Sequence, residues 1–169
     1  MTALAPRDRA RRAAGWPLCV AACLLLLGLL GAQPAVTRAI TPTPLFVVGH
    51  PGTTPPHVEL GELQAVFLKR RVMWPNGQRV LALNYPPGDP LRRAFDSAVL
   101  GWNADAAAKY WVDVRIRDGF EPPYTVPSPS VAARIVARLP GSIAYVTGEY
   151  THGALRVLAR IEGGRVLPP

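Results

Sequence analysis

The hydrophobic positions of this chain form short apolar runs, which predict strands, and stretches with helical spacing, which predict amphipathic helices. Apolar runs at 45–48, 80–83 and 143–146 predict buried strands, because a strand covered on both faces shows no polar alternation. Apolar and polar residues alternate over 155–162, which predicts a strand with one partly wet face. The glycine-containing segment 148–153 could close an antiparallel hairpin between the last two strands.

Four segments carry the spacing of an amphipathic helix. They cover about 58–68, 90–100, 103–114 and 128–139. Asn103 is a typical helix N-cap, and the Ser128–Pro129 pair is typical of a helix start. In the last helix, Val131, Ile135 and Leu139 are predicted to face inward. Strands and helices in this order predict an α/β fold, with a central mixed sheet flanked by about four helices.

The segment 84–100 combines a strand end, a tight turn and a helix start. Asp89 is a good N-cap and Pro90 suits the first helical position, so we name residues 85–92 the opening turn. The spacing places one set of residues on an apolar, core-facing side: Leu91, Ala94, Phe95, Ala98 and Val99. It places a second set on the polar side: Arg92, Arg93, Asp96 and Ser97. Helix starts just past strand ends are where α/β proteins often hold anions.

The first 39 residues predict a targeting segment. Four arginines at 7–12 precede an uncharged apolar run at 16–32, which is typical of a secretory signal peptide or a short uncleaved membrane anchor. We therefore expect a periplasmic or other extracytoplasmic location, with membrane contact through this segment if it is not cleaved. The end of a tether rich in proline and threonine follows at 40–44, and a single domain follows at 45–169.

Charge and cysteine content limit the function classes. Both cysteines lie within residues 1–39, so the predicted domain has no disulfide. The whole chain carries a net charge of +8, but the residues after 39 include 14 basic and 10 acidic side chains, a net charge of +4. This mild excess suits anions or a membrane surface. Basic residues do not alternate with aromatic ones, so we expect no nucleic-acid partner.

The sequence contains no pattern typical of a catalytic or metal site. His50, His57 and His152 lack the spacing of metal ligands, and the serines lack a nucleophile-elbow context. Glu59 and Glu62 lie on a helix face that is predicted to be solvated. We therefore expect a non-enzymatic protein with no metal and no cofactor.

Several motifs occur in the order found in phosphate ABC transporter substrate-binding proteins. They are Phe67-Leu68, Trp74 and Gly77, Gly88 to Arg92 with Phe95, and Pro140-Gly141-Ser142-Ile143-Ala144-Tyr145-Val146. Over about 46–163 the chain resembles this family, which has the type 2 periplasmic binding protein fold. Full members have two lobes around a cleft. The resemblance therefore implies a short, single-lobe member that matches chiefly the second-lobe portion.

The resemblance also implies a ligand site at the opening turn. Its residues would be Gly88, Asp89, Leu91 and Arg92. Arg92 matches the family's arginine and would grip phosphate or another small oxyanion, whereas its alternative role is an ion pair with Asp96. Asp89 and Pro90 stand where the family has small hydroxyl and glycine residues, so we expect weak binding. The implied protein partner is an ABC permease or another envelope protein.

A second function remains open at this point. An envelope interaction or scaffold protein could keep the same fold without binding any small molecule.

Overall fold

The computed structural model describes residues 43–169, so the predicted targeting segment and the start of the tether lie outside the described residues. Within the described part, the six strands are β1 Leu45–Gly49, β2 Leu81–Asn84, β3 Tyr124–Thr125, β4 Ser142–Thr147, β5 Arg156–Glu162 and β6 Arg165–Leu167. The four α-helices are α1 Leu60–Phe67, α2 Pro90–Phe95, α3 Ala104–Asp118 and α4 Pro129–Arg138. A π-helical turn, Asp96–Leu100, continues α2. None of the helices described is long and apolar enough to cross a membrane.

The strands form one mixed sheet in the order β3-β2-β4-β1-β5-β6. β2 is parallel to β3 and β4, whereas β1 is antiparallel to β4 and β5. The predicted α/β class and mixed sheet are confirmed. The suggested hairpin across 148–153 is wrong, because β1 lies between β4 and β5. The hairpin that does form joins β5 to β6.

An aromatic cluster lies beneath the opening turn. The Phe95 ring stacks on Tyr145 with centroids 4.0 Å apart and an interplanar angle of 6°. Phe67, from α1, lies 4.5 Å from the Phe95 centroid. All three residues are almost completely buried. The prediction that Phe95 belongs to the core is therefore confirmed, and α1, α2 and β4 meet at this cluster.

Two helix faces differ from the predictions. In α4 the fully buried residues are Ala132 and Val136, whereas Leu139 is 46% exposed. The helix ends at Arg138, and Leu139 already has an extended backbone that takes it off the helical face. In α2 Ala94 is exposed rather than core-facing.

The Trp74 turn and the Pro140-Gly141 turn are joined in space. The Trp74 indole N–H donates to the Gly141 carbonyl oxygen at 2.9 Å, and the Trp74 side chain is buried. Gly141 has a φ of +78°, and a Cβ at this position would clash with the Arg79 carbonyl oxygen. The Trp74 turn and the Pro140-Gly141 turn, two motifs that carry the resemblance, therefore have a structural role, because they pack against each other before β2 and β4 begin.

Candidate functional site

The opening turn forms because its residue types suit their positions. After β2 ends at Asn84, Gly88 adopts a φ of +90°, which glycine tolerates best. Asp89 then caps α2, since its Oδ1 accepts the Leu91 amide at 2.8 Å. Pro90 occupies the first turn of the helix, as predicted.

Most backbone amides of this turn already have acceptors. The Asp89 amide donates to the Pro86 carbonyl oxygen at 3.1 Å, and the Arg93 amide donates to the Asp89 carbonyl oxygen at 3.0 Å. The Leu91 amide is taken by the cap, and Pro90 has no N–H. The Asp89 carboxylate also brings negative charge to the helix start. Few backbone donors therefore remain for an incoming oxyanion.

The Arg92 guanidinium is engaged within the fold. Its Nε lies 3.3 Å from Asp96 Oδ2, and its terminal nitrogen donates to the Tyr85 carbonyl oxygen at 3.0 Å. The Arg92 and Asp96 side chains are only 13% and 8% exposed. The alternative role of Arg92, an ion pair with Asp96, is therefore the one that forms. Little of the Arg92 side chain is left for a ligand.

Asp96 departs from its predicted position on the polar helix face, because the structure buries it. Asp96 begins the π-helical turn, whose residues leave the 3.6-residue spacing on which the prediction rested. Burial raises the pKa of Asp96 above its ordinary value, while the neighbouring Arg92 charge and hydrogen bond lower it. The ion pair with Arg92 thus offsets part of the cost of burying the Asp96 carboxylate.

A buried hydrogen-bond network supports the turn from below, and sequence reasoning did not find it. Asn84 Oδ1 accepts both the Tyr145 hydroxyl and the Tyr85 amide, the latter at 2.8 Å. The Tyr85 hydroxyl donates to the Tyr145 carbonyl oxygen at 2.6 Å. Burial raises the pKa of both tyrosine hydroxyls. The only sequence signal was a polar Asn84 at the end of an apolar run.

A cleft of about 500 Å³ opens between the start of α2 and the start of α3, and we name it the α2–α3 cleft. Gly88 and Arg92 line it, whereas Asp89 and Leu91 do not. Two of the four predicted site residues therefore share one opening. Arg93 and Trp102 also line the cleft, and neither was predicted as a site residue. No sequence signal linked Trp102 to this turn, since the cleft arises from the packing of two separate helices.

A larger groove of about 1000 Å³ lies beside β2, and we name it the basic groove. Its exposed apolar lining consists of Val72, Phe120, Tyr124 and Leu139. Its charged lining is three cations, Lys69, Arg71 and Arg79, and one carboxylate, Glu121, which leaves a net positive charge. Burial lowers the pKa of Lys69, and the nearby charge of Arg79 lowers it further. The Lys69 Nζ lies 5.9 Å from the centroid of the Tyr124 ring. This surface therefore combines apolar area with positive charge.

The other polar side chains considered for a site make contacts within the fold. Glu59 and Glu62 form a capping box at the start of α1, and Glu62 also pairs with Arg71 at 3.2 Å. His50 Nδ1 accepts the Gly52 amide at 3.2 Å within a turn. In the part of the chain that the structure covers, no group of three or more His, Cys, Asp or Glu side chains is arranged to hold a metal.

Three solved structures share this arrangement of strands and helices. The first is an ABC-type phosphate transport receptor from Vibrio cholerae, with a TM-score of 0.55 and 12% identity. The second is a phosphate ABC transporter substrate-binding protein with bound phosphate from Clostridium perfringens, with a TM-score of 0.54 and 12% identity. The third is PstS from Borrelia burgdorferi, with a TM-score of 0.54 and 13% identity. The match covers 69–70% of this chain and 46–47% of those chains.

The domain has the fold of one lobe of a type 2 periplasmic binding protein. The chain spans less than half the length of the structures it matches, and at this identity the likeness shows the fold alone. No protein-family model matches the sequence, and a comparison with curated proteins finds no match.

Proposed function

We propose that this chain is an exported, non-enzymatic binding module that takes phosphate or another small oxyanion weakly at the α2–α3 cleft, in connection with ABC transport. The observation that supports this function is the cleft itself, because Gly88, Arg92 and Arg93 all line it and bring two guanidinium groups to one opening. The export step is supported by the basic head and apolar run within residues 1–39. The proposed protein partner is an ABC permease or another envelope protein.

The expected affinity is low for physical reasons. The Asp89 side chain takes the Leu91 amide and adds negative charge, and the Arg92 guanidinium is shared between Asp96 and the Tyr85 carbonyl oxygen. An open cleft also lacks the water exclusion that strengthens charge interactions. We therefore propose a Kd of about 1 mM or weaker, which corresponds to a binding free energy of about −4 kcal/mol.

Thermal unfolding of the full chain with added phosphate tests this function. A ligand that binds only the native state at ten times its Kd stabilises it by about 1.4 kcal/mol. Phosphate also stabilises proteins through exclusion from their surface, so the same titration is made with the Arg92→Ala variant. A stabilisation by phosphate that is larger in the unmodified chain than in Arg92→Ala supports the proposal. Equal stabilisation of the two proteins would mean that the opening turn does not bind phosphate.

The basic groove favours a second candidate function, an interaction protein that binds an acidic, extended segment of an envelope partner. Three cations beside exposed aromatic rings complement acidic residues that alternate with apolar ones. A peptide of alternating glutamate and leucine is the probe. We expect the Arg79→Gln variant to weaken its binding and Arg134→Gln, an exposed substitution on α4, to leave it unchanged. Equal binding by both variants would exclude the groove as the docking surface.

A further inference from the structure

We propose that the ligand of the α2–α3 cleft is a small organic anion with an aromatic ring, whose ring packs against Trp102 and whose anionic group lies at Arg93. This inference rests on the proposed function, because it names the ligand class of the same site. It differs from that function in a testable way, since a bare oxyanion needs neither an aromatic contact nor an apolar floor.

The size and lining of the cleft favour a ligand with an apolar body. Its volume of about 500 Å³ exceeds what one tetrahedral oxyanion fills, and it lies within the range of roughly 300–1,000 Å³ that is usual for small-molecule sites. One wall is formed by alanine side chains from the first turns of α3, namely Ala104, Ala107 and Ala108. Methyl groups leave the space open and contribute no polar partner, so this wall suits an apolar ring.

Trp102 supplies the aromatic surface. Trp102 is partly exposed and lines the cleft. The ring packs against Tyr110 with centroids 4.8 Å apart at an angle of 48°, and the Trp102 amide donates to the Asp96 carbonyl oxygen at 3.2 Å. The indole is therefore held from behind, while part of it stays available to contact a ligand ring in an offset or edge-on arrangement.

Arg93 supplies the charge. Its guanidinium donates to the Gly88 carbonyl oxygen, which holds it at the mouth of the cleft. Within residues 43–169 Arg93 forms no ion pair, whereas the Arg92 guanidinium is shared between Asp96 and the Tyr85 carbonyl oxygen. A guanidinium carries five N–H donors, so one bond to Gly88 leaves others for a phosphate ester or carboxylate. The anionic group is thus expected to bind the free donors of Arg93, beside Arg92 in the same cleft.

Titration calorimetry of the full chain with three probes tests the ligand class. The probes are phenyl phosphate, inorganic phosphate and benzyl alcohol. We expect phenyl phosphate to bind about tenfold more tightly than either of the others, because only it uses both the ring contact and the charge. Equal affinity for phenyl and inorganic phosphate would overturn this inference and leave the proposed function standing. Failure of both phosphates to bind would overturn the two together.

Cavity-filling variants test the position of the ring. Ala108→Leu places a larger side chain in the cleft, so we expect phenyl phosphate affinity to fall about tenfold while inorganic phosphate affinity changes little. Ala106→Leu is the matched control, because Ala106 is exposed on the same helix and does not line the cleft. Equal phenyl phosphate affinity in the two variants would contradict the placement.

Charge variants test the position of the anion. Arg93→Gln should weaken phenyl phosphate binding about tenfold, and Arg134→Gln, which makes the same charge change on an exposed part of α4, should not. Binding that is insensitive to Arg93→Gln would overturn the assignment of the anionic group.

Discussion

Replacing Arg92 by alanine removes the only cation that pairs with Asp96 among the described residues, and it removes a donor to the Tyr85 carbonyl oxygen. The Asp96 carboxylate would then remain inside the domain without a counter-charge. We predict a marked loss of folding stability. This prediction follows from the structural role of Arg92 and is independent of whether any ligand binds.

The magnitude follows from the burial of the pair. Removing one partner of a fully buried ion pair typically costs about 3–5 kcal/mol, because the other charge is left uncompensated. The side chains of Arg92 and Asp96 are 13% and 8% exposed, so water reaches part of the pair. We therefore expect a cost of about 2–4 kcal/mol for Arg92→Ala.

Urea denaturation of four proteins measures this cost. They are the unmodified chain, Arg92→Ala, Asp96→Asn and the double variant. The double variant should lose less than the sum of the single losses by about 1–2 kcal/mol, since each single change already breaks the same pair. Arg93→Ala is the matched control and should change the unfolding free energy by less than about 0.5 kcal/mol. A loss below about 1 kcal/mol for Arg92→Ala would refute the structural role of this pair.

Three other predictions follow from the same structure and sequence. Phe95→Ala should cost about 3–5 kcal/mol in denaturant titrations, because the ring is fully buried, and a loss under about 1 kcal/mol would place it outside the core. Tyr85 and Tyr145 keep their protons in the folded state above pH 10, where unfolded tyrosines ionise, so stability should fall by up to about 1.4 kcal/mol per pH unit for each tyrosine. Tyr85→Phe should make that decline shallower, and an unchanged slope would count against this explanation. An alkaline phosphatase fusion after Pro44 should be active in bacterial cells, and an inactive fusion that accumulates normally would contradict export.

Local signals in the sequence were sufficient to predict most helix starts and strands. Asp89, Asn103 and Ser128 cap the three helices whose starts they predicted, because a cap depends only on the residue and the next few amides. The apolar runs at 45–48 and 143–146 are β1 and β4, since a run buried on both faces leaves a clear pattern. These features depend on neighbours in sequence, so one chain reveals them.

Features that depend on distant partners were missed. β3 is two residues long and lies in a proline-rich segment, so only its pairing with β2 makes it a strand. The burial of Asp96 depends on the π-helical turn and on Arg92, which a regular helical spacing does not anticipate. Gly88 and Arg92 were predicted as site residues. The contribution of Trp102 to the cleft was missed for the same reason, because it depends on the packing of α3 beside α2.

A phosphate titration of the full chain, followed by NMR of the backbone amides, tests whether a small oxyanion binds weakly at the edge of the α2–α3 cleft. We predict saturable shifts of the Gly88 and Arg92 amides with a Kd of about 1 mM or weaker, and little change along the basic groove. Micromolar affinity would contradict the weak site. Shifts that are absent from the cleft, or that persist unchanged in Arg92→Ala, would contradict its location.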